Sequence, residues 1–366
     1  MKHGERGTLA LALTPLLLLL LLLLGQAARA SPPRCPRSLA SRPSFPQSRR
    51  PSWARAAAPD PLPSTTTNNK VAVLLLPAQF CVPADYDSLW DTLASSLEEL
   101  ASAGSGRVQL AASSQVVPLS RWDWIQVARQ LPTKEFFQGR LPVAPTLEWY
   151  FRAIEQGMAT IVAAEGPDVS IALVGHSIGG WVARALGGLA ATDNVVGRAQ
   201  CTAVVTLGTP HVSPPDALVD QTRGLLQAIA DTPACCPAAL LKDHGIQFTC
   251  MASDGLPGRW SLDDPEALVA AASYAPLTGR WHNVTGDGIV PVELALLPPP
   301  AVSLVRGRDP LTGQPIRHLH VLPTPWNLWR PSEASWSLGE EATSYLSPGV
   351  VKEWAPYLLS AFVASQ

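Results

Sequence analysis

The chain has 366 residues, 47% of them apolar, enough for one large domain with a substantial core plus a leader. Its net charge of -2 is unevenly spread: residues 1–58 carry nine basic side chains and one acidic one, which leaves the remainder at -10. So acidic a body argues against nucleic acid as a partner, because a phosphate backbone needs a basic surface.

Lys2 and Arg6 precede the apolar run Leu9–Leu24, and Gln26–Ala30 supplies the small residues of a signal-type cleavage site. The run has 16 positions. A spanning helix needs ~20 apolar residues, so a removable signal core is expected, with a signal anchor as the alternative. Ser31–Ala58 contains no acid and is rich in Ser, Arg and Pro, the composition of an organelle transit peptide. Residues 1–58 therefore read as a targeting leader. A plastid destination is expected, and secretion or an endomembrane lumen is the alternative. Residues 59–70, Pro- and Thr-rich, read as a linker, and 71–366 as the folded domain.

Val71–Leu76 is a short apolar run closed by Pro77, the pattern of a parallel strand buried on both faces. Asp85–Ala101 has helical spacing, with Leu89, Leu93, Leu97 and Leu100 on one side. Val108–Leu119 predicts a strand, Thr146–Ala164 a helix, Val169–Val174 a strand, Ile178–Leu189 a helix and Cys201–Leu207 a strand. This alternation predicts an α/β domain with a doubly wound, mostly parallel sheet, whose ligands bind at the carboxyl ends of the strands. After Pro210 the rhythm breaks, and residues 212–242 read as a helical cap insertion. Ile246–Ala252 and Ala301–Val305 return to strands, an excursion from Gly255 to about Arg280 separates them, and Gly349–Ala364 is a closing helix.

Gly175-His176-Ser177-Ile178-Gly179 is a G-x-S-x-G motif set between a predicted strand and a predicted helix. That context makes a nucleophile elbow: a strained turn lifts the serine Oγ above the sheet and aims a helix N-terminus at a developing oxyanion. Bulkier residues at 175 and 179 would clash with the neighbouring strand and helix. Serine needs a base and an orienting acid, which follow it in this chain order. Asp287, between Gly286 and Gly288, is the acid expected, although Gly-Asp-Gly is also an ordinary turn; Asp216 is the runner-up. His318 and His320 follow it, two residues apart and on one face of an extended segment, and either is a candidate base. His176, His211, His244 and His282 read as structural. The N–H of Ile178 and that of Gln79 or Phe80, in the loop after the first strand, are the expected oxyanion hole.

Leu173–Gly180, Leu207–His211, Gly286–Val292 and Tyr345–Val351 resemble plant, algal and cyanobacterial α/β-hydrolases related to GPI inositol-deacylases and lipases. Leu119–Trp124 and Gly245–Phe248 resemble the same proteins, and the similarity runs from about Val71 to Leu359. The resemblance implies the α/β-hydrolase fold and a serine hydrolase, often plastid-targeted, without naming a substrate. It departs at Arg306–Gln314, which intervenes before the histidine segment, and at the Pro/Trp-rich stretch Leu322–Trp336.

The reading is therefore a lipase- or esterase-like serine hydrolase of an acyl ester, a lipid first, with peripheral membrane contact allowed. A non-catalytic binding protein on the same fold and an acyltransferase using the same serine are the alternatives. No cofactor or metal motif is present in the sequence. Outside the leader, Cys81, Cys201, Cys235, Cys236 and Cys250 imply no disulfide framework. Trp122, Trp124, Trp149, Trp326 and Trp329 are candidates for an acyl pocket or for plain core. The glycosylation sequon at Asn283 reads as chance, because it adjoins the expected acid.

Overall fold

The computed structural model describes residues 70–102, 108–189, 200–213, 220, 222–319 and 343–359. The leader, the linker up to residue 69, Asp216, His320, Trp326 and Trp329 lie outside the described residues.

Strand β1 (Lys70–Leu76) leads into helix α1 (Asp87–Leu100). The expected strand at Val108–Leu119 is two short ones, β2 (Gln109–Leu110) and β3 (Gln115–Val116), and both pair in parallel with β1. Ser114 Oγ accepts from Val73 N at 3.0 Å in the break between them. Helices α2 (Ile125–Ala128), α3 (Lys134–Gln138) and α4 (Val143–Glu165) follow. Then come β4 (Ser170–His176), α5 (Ile178–Leu189) and β5 (Cys201–Leu207). Helices α6 (Leu225–Ala230) and α7 (Pro237–His244) precede β6 (Gln247–Ala252). The excursion beyond it holds β7 (Leu256–Pro257), α8 (Pro265–Thr278) and β8 (Thr285–Gly286), and the chain closes with β9 (Val302–Val305) and α9 (Pro348–Trp354).

The main sheet runs β2-β1-β4-β5-β6-β9, with β3 also on β1, and every pairing is parallel. This doubly wound sheet between two helical layers is the α/β-hydrolase fold. Its strands are apolar without alternation because both faces are covered. Ala72, Leu74 and Leu76 of β1 pack with α4 and α5 residues such as Ile154, Met158 and Val182. Val71, Val73 and Leu75 face the other layer, with Leu89 and Leu93 of α1 and Val350 and Trp354 of α9. Leu74, Leu75 and Leu76 are fully buried, and each such burial is worth about 1.5–3 kcal/mol.

In the segment expected as a cap, α6 and α7 put Leu225, Leu226, Ile229 and Leu240 into the core shared with α4 and α5. They thereby form part of the crossover from β5 to β6; residues 214–219 and 221 lie outside the described residues. From β1 the chain moves outward to β2 and β3, then returns to β4 on the other side of β1. The loops after β1 and β4 thus diverge at a topological switch point, the crevice where such sheets bind ligands. Among the described residues no helix is long and apolar enough to cross a membrane.

Candidate active site

Ser177 stands between β4 and α5 with φ 54°. For a non-glycine residue this left-handed conformation costs about 1–2 kcal/mol and marks a turn held by its surroundings. Ser177 N donates to Leu207 O at 2.9 Å, and Gly180 N to Ser177 O at 3.0 Å. The glycines are demanded by close approach. A Cβ at Gly175 would lie 2.3 Å from Gly180 Cα, and one at Gly179 would lie 2.2 Å from the Leu76 carbonyl oxygen. One at Gly180 would lie 2.0 Å from Thr209 Oγ1. The clashes expected at 175 and 179 are therefore with the following helix and the end of β1.

Asp287 follows β8 and is buried. Its Oδ1 accepts from Ile289 N at 3.0 Å and Val290 N at 2.7 Å. Oδ2 accepts from His318 Nδ1 at 2.8 Å and from the Tyr345 hydroxyl at 3.0 Å. Four donors on one buried carboxylate hold it in a single orientation. The loop is knitted by Tyr274 of α8, whose hydroxyl accepts from Gly288 N at 2.7 Å and donates to Leu256 O at 3.1 Å. Burial, then the nearby Asp287 carboxylate, push the Tyr274 and Tyr345 phenols far above their ordinary value, so both stay protonated as donors.

His318 is the histidine that the structure brings to Asp287, and His320 lies outside the described residues. Besides the ring contact, His318 N donates to Asp287 O at 2.8 Å. The intervening residues 306–314 close on themselves: Asp309 N donates to Gln314 O, Gly313 N to Asp309 O, and Ile316 N to Gly307 O. The insertion is a hairpin excursion that returns the chain to the sheet, so the histidine arrives in spite of it. With Nδ1 on Asp287, Nε2 is the nitrogen open to a serine hydroxyl. The structure gives no hydrogen bond between Ser177 Oγ and this ring, a contact that is often long in a resting enzyme and closes around substrate. Gly208, at φ +54°, connects the parts: its position faces both His318 Nδ1 and Asp287 Oδ2, and it follows Leu207, which holds the Ser177 N–H.

The loop after β1 is built as tightly. Cys81 N donates to Ala78 O at 3.0 Å, and Phe80 has φ 64°, an outlier for an aromatic residue. Arg121, buried and 3.4 Å from Asp85, donates from Nε to Phe80 O at 3.1 Å. The N–H groups of Gln79, Phe80 and Ile178 have no hydrogen-bond partner among the described residues, which leaves them available to an oxyanion. Phe80 packs on Trp124, ring centroids 5.7 Å apart, and Trp124 on Trp149 at 5.1 Å. Trp124 is core, whereas Trp122 is exposed.

The other histidines sort by environment. His211 is fully buried, with Nε2 on Thr206 Oγ1 at 3.0 Å, and burial followed by the Arg184 charge drives it well below its ordinary value. It is a neutral structural residue. Cys81 is pushed up to about 12 by burial and is an inert thiol. The five described cysteines form no disulfide. Among the described residues no group of three His, Cys, Asp or Glu is placed to hold a metal ion. Asn283 is exposed, with φ 59°.

Sequence reasoning missed Tyr345, Tyr274, Gly208 and Tyr86. Tyr345 and Gly208 lie in two of the segments that carry the family resemblance, which was the available signal. Tyr86 and Tyr274 sit in ordinary helical context, and nothing local marks them.

Residues 145–234 match the family model described as PGAP1-like alpha/beta domain, the stretch from α4 through the elbow to α6. No curated protein matches the chain. Among solved structures, the chain is similar to the metagenomic carboxyl esterase MGS0156 at 16% identity. That likeness covers 82% of this chain and 78% of the other, with a TM-score of 0.41. RedJ, with a PEG molecule bound in the active site, is similar at 14% identity over 70% and 88% of the two chains, with a TM-score of 0.27. At these identities and scores neither structure bears on the chemistry.

Proposed function

We propose that the chain is a serine ester hydrolase in which Ser177 is the nucleophile, His318 the base and Asp287 the orienting acid. One observation carries this reading: a buried, four-donor Asp287 is bonded to His318 Nδ1, and the His318 ring lies 5.2 Å from that of His176, the residue before a serine held at φ 54° in a G-x-S-x-G elbow. The chain order Ser, Asp, His and the match of residues 145–234 to the PGAP1-like family model support it.

In this mechanism Ser177 Oγ attacks the acyl carbon while His318 Nε2 takes its proton. The carbonyl oxygen becomes an oxyanion, stabilised by the Ile178 N–H with that of Phe80 or Gln79 and by the N-terminus of α5. The intermediate collapses, breaking the ester C–O bond, and His318 returns the proton to the departing alcohol. Water then attacks the acyl-serine by the same route, releasing acid and serine. Asp287 keeps Nδ1 protonated and stabilises the imidazolium without itself taking the proton.

A lipid acyl ester is the proposed substrate. Trp122, Ile125 and Phe137 in the excursion after β3, and Trp260, Leu262 and Trp281 in the one after β6, are exposed. Both excursions leave the sheet at the carboxyl ends of its strands, the edge that carries Ser177, which supports peripheral contact with a lipid surface. Plastid targeting by residues 1–58 belongs to the same proposal. The test is fluorophosphonate labelling of the purified protein beside Ser177→Ala and His318→Ala, followed by esters presented as monomers and in vesicles. Labelling lost in both variants supports the triad. A folded wild-type protein that does not label, and turns over no ester, would make it a binding protein on a hydrolase fold.

A further inference from the structure

His176, the residue before the nucleophile, is buried with its ring 5.2 Å from that of His318, and it touches both halves of the machinery. Its Nε2 lies 2.8 Å from His318 O, and its Nδ1 lies 2.9 Å from the Tyr86 hydroxyl. That hydroxyl is also 2.8 Å from Ala78 N, in the loop that presents Gln79 and Phe80. The proton positions follow from the partners. A carbonyl oxygen only accepts, so His176 Nε2 carries hydrogen. Nδ1 of the neutral ring is then a lone pair and accepts from the Tyr86 hydroxyl. That hydroxyl, having donated its proton, accepts from the Ala78 N–H. The chain Ala78 N–H to Tyr86 to His176 to His318 O therefore runs in one direction, and each donor meets an acceptor.

Ala78, Tyr86, His176 and His318 are all buried, so water does not substitute for a missing link. The two segments joined are 240 positions apart in sequence and lie in different loops of the site. Apart from this relay, the His318 main chain is held from the acid side, by Asp287 O on its N–H.

We propose that Tyr86 and His176 are positioning residues: their relay sets the oxyanion loop after β1 and the backbone of His318 in register with each other and with the elbow. This rests on the serine-hydrolase reading for its catalytic consequence, but the mechanical coupling stands apart from it. The side-chain nitrogens separate the two arms. An Asn at 176 places its amide where Nδ1 was, keeping the Tyr86 contact and losing the His318 one. A Gln reaches toward the Nε2 position and keeps the His318 contact.

The test uses the full chain and its Tyr86→Phe, His176→Leu, His176→Asn and His176→Gln variants, each checked for folding by circular dichroism. Hydrogen exchange is followed by mass spectrometry on peptides covering 77–82 and 316–319. In His176→Leu both peptides exchange at least ten-fold faster than in wild type, while a peptide from α8 does not change. In His176→Asn the 316–319 peptide alone loosens, and in Tyr86→Phe the 77–82 peptide loosens first. Ester turnover then reads the consequence. In His176→Leu kcat falls at least ten-fold with KM within two-fold. His176→Gln recovers most of that loss. Unchanged exchange at both peptides in folded His176→Leu overturns the relay, even if wild-type Ser177 labels with fluorophosphonate. Loosened peptides in a protein whose wild type does not label would uphold the relay and overturn the hydrolase reading.

Discussion

Replacing Gly208 with alanine tests the packing of the site without touching a group that does chemistry. Gly208 has φ +54°, and an added Cβ would meet Tyr345 Cε2 at 2.5 Å, Asp287 Oδ2 at 2.6 Å and His318 Nδ1 at 3.0 Å. The left-handed conformation costs an alanine about 1–2 kcal/mol. Overpacking adds typically about 1–3 kcal/mol. Asp287 has little room to withdraw, because Ile289 and Val290 hold its other oxygen. Gly245→Ala is the control: its φ is +68°, and a Cβ there meets nothing within 4 Å, so it carries the conformational cost of about 1–2 kcal/mol alone. Urea denaturation and fluorophosphonate labelling rates are measured on both. Gly208→Ala loses about 1–3 kcal/mol more than Gly245→Ala. It also labels on the order of a hundred-fold more slowly, the cost of a displacement near 1 Å, while Gly245→Ala labels like wild type. Equal stability losses, with wild-type labelling in Gly208→Ala, would refute the account of Gly208 as the space behind the Asp–His pair.

On the proposed mechanism, Asp287→Asn leaves the shape but reverses the polarity of the contact with His318, and kcat for ester hydrolysis drops by about ten-thousand-fold with KM little changed; a drop below ten-fold would remove Asp287 from the proposed triad. Tyr345→Phe deletes one donor to Asp287 and the acceptor of Ser253 N, which lowers stability in urea by about 1.5–3 kcal/mol; a loss under about 0.5 kcal/mol would show the hydroxyl to be idle. His211 is held neutral in the fold but binds a proton when unfolded, so its contribution is fully present above its unfolded value near 6.5. It is lost as pH falls below that, by up to about 1.4 kcal/mol per pH unit until the folded value is reached. Stability at pH 5.5 against pH 7.5 therefore falls less in His211→Gln than in wild type, and identical slopes would sink the assignment.

Several parts of this protein were legible before any tertiary contact was known, each because its cause is local. The runs at Val71–Leu76 and Cys201–Leu207 are apolar at every position since both faces of a parallel strand are covered, and the strands fall there. The elbow is readable because a turn that tight admits glycine alone at 175 and 179. The doubly wound order follows from alternation. Where the cause was not local, the reading stopped short. Val108–Leu119 looks like one strand, yet β1 accepts it as two short pairings interrupted at Ser114. The excursion after β6 gave no helical signal, because α8 is alanine-rich, with weak amphipathic contrast, and contains Pro276.

The sequence alone determined the fold class, the strained serine and the glycine-flanked aspartate, since these depend on backbone sterics and on burial periodicity within a few residues. It left His318 and His320 equivalent, because two residues on one face of an extended segment look alike until a partner is placed beside one of them. The tertiary structure set His318 Nδ1 2.8 Å from Asp287, put the Tyr345 hydroxyl on the same carboxylate and threaded Tyr86 and His176 between the loop after β1 and the His318 carbonyl. Apart from the Ala78–Tyr86 bond, which spans 8 positions, those contacts join residues 31 to 142 positions apart. Directional hydrogen bonds between such distant groups are chosen by how the sheet and its two helical layers close, and no local pattern records that closure.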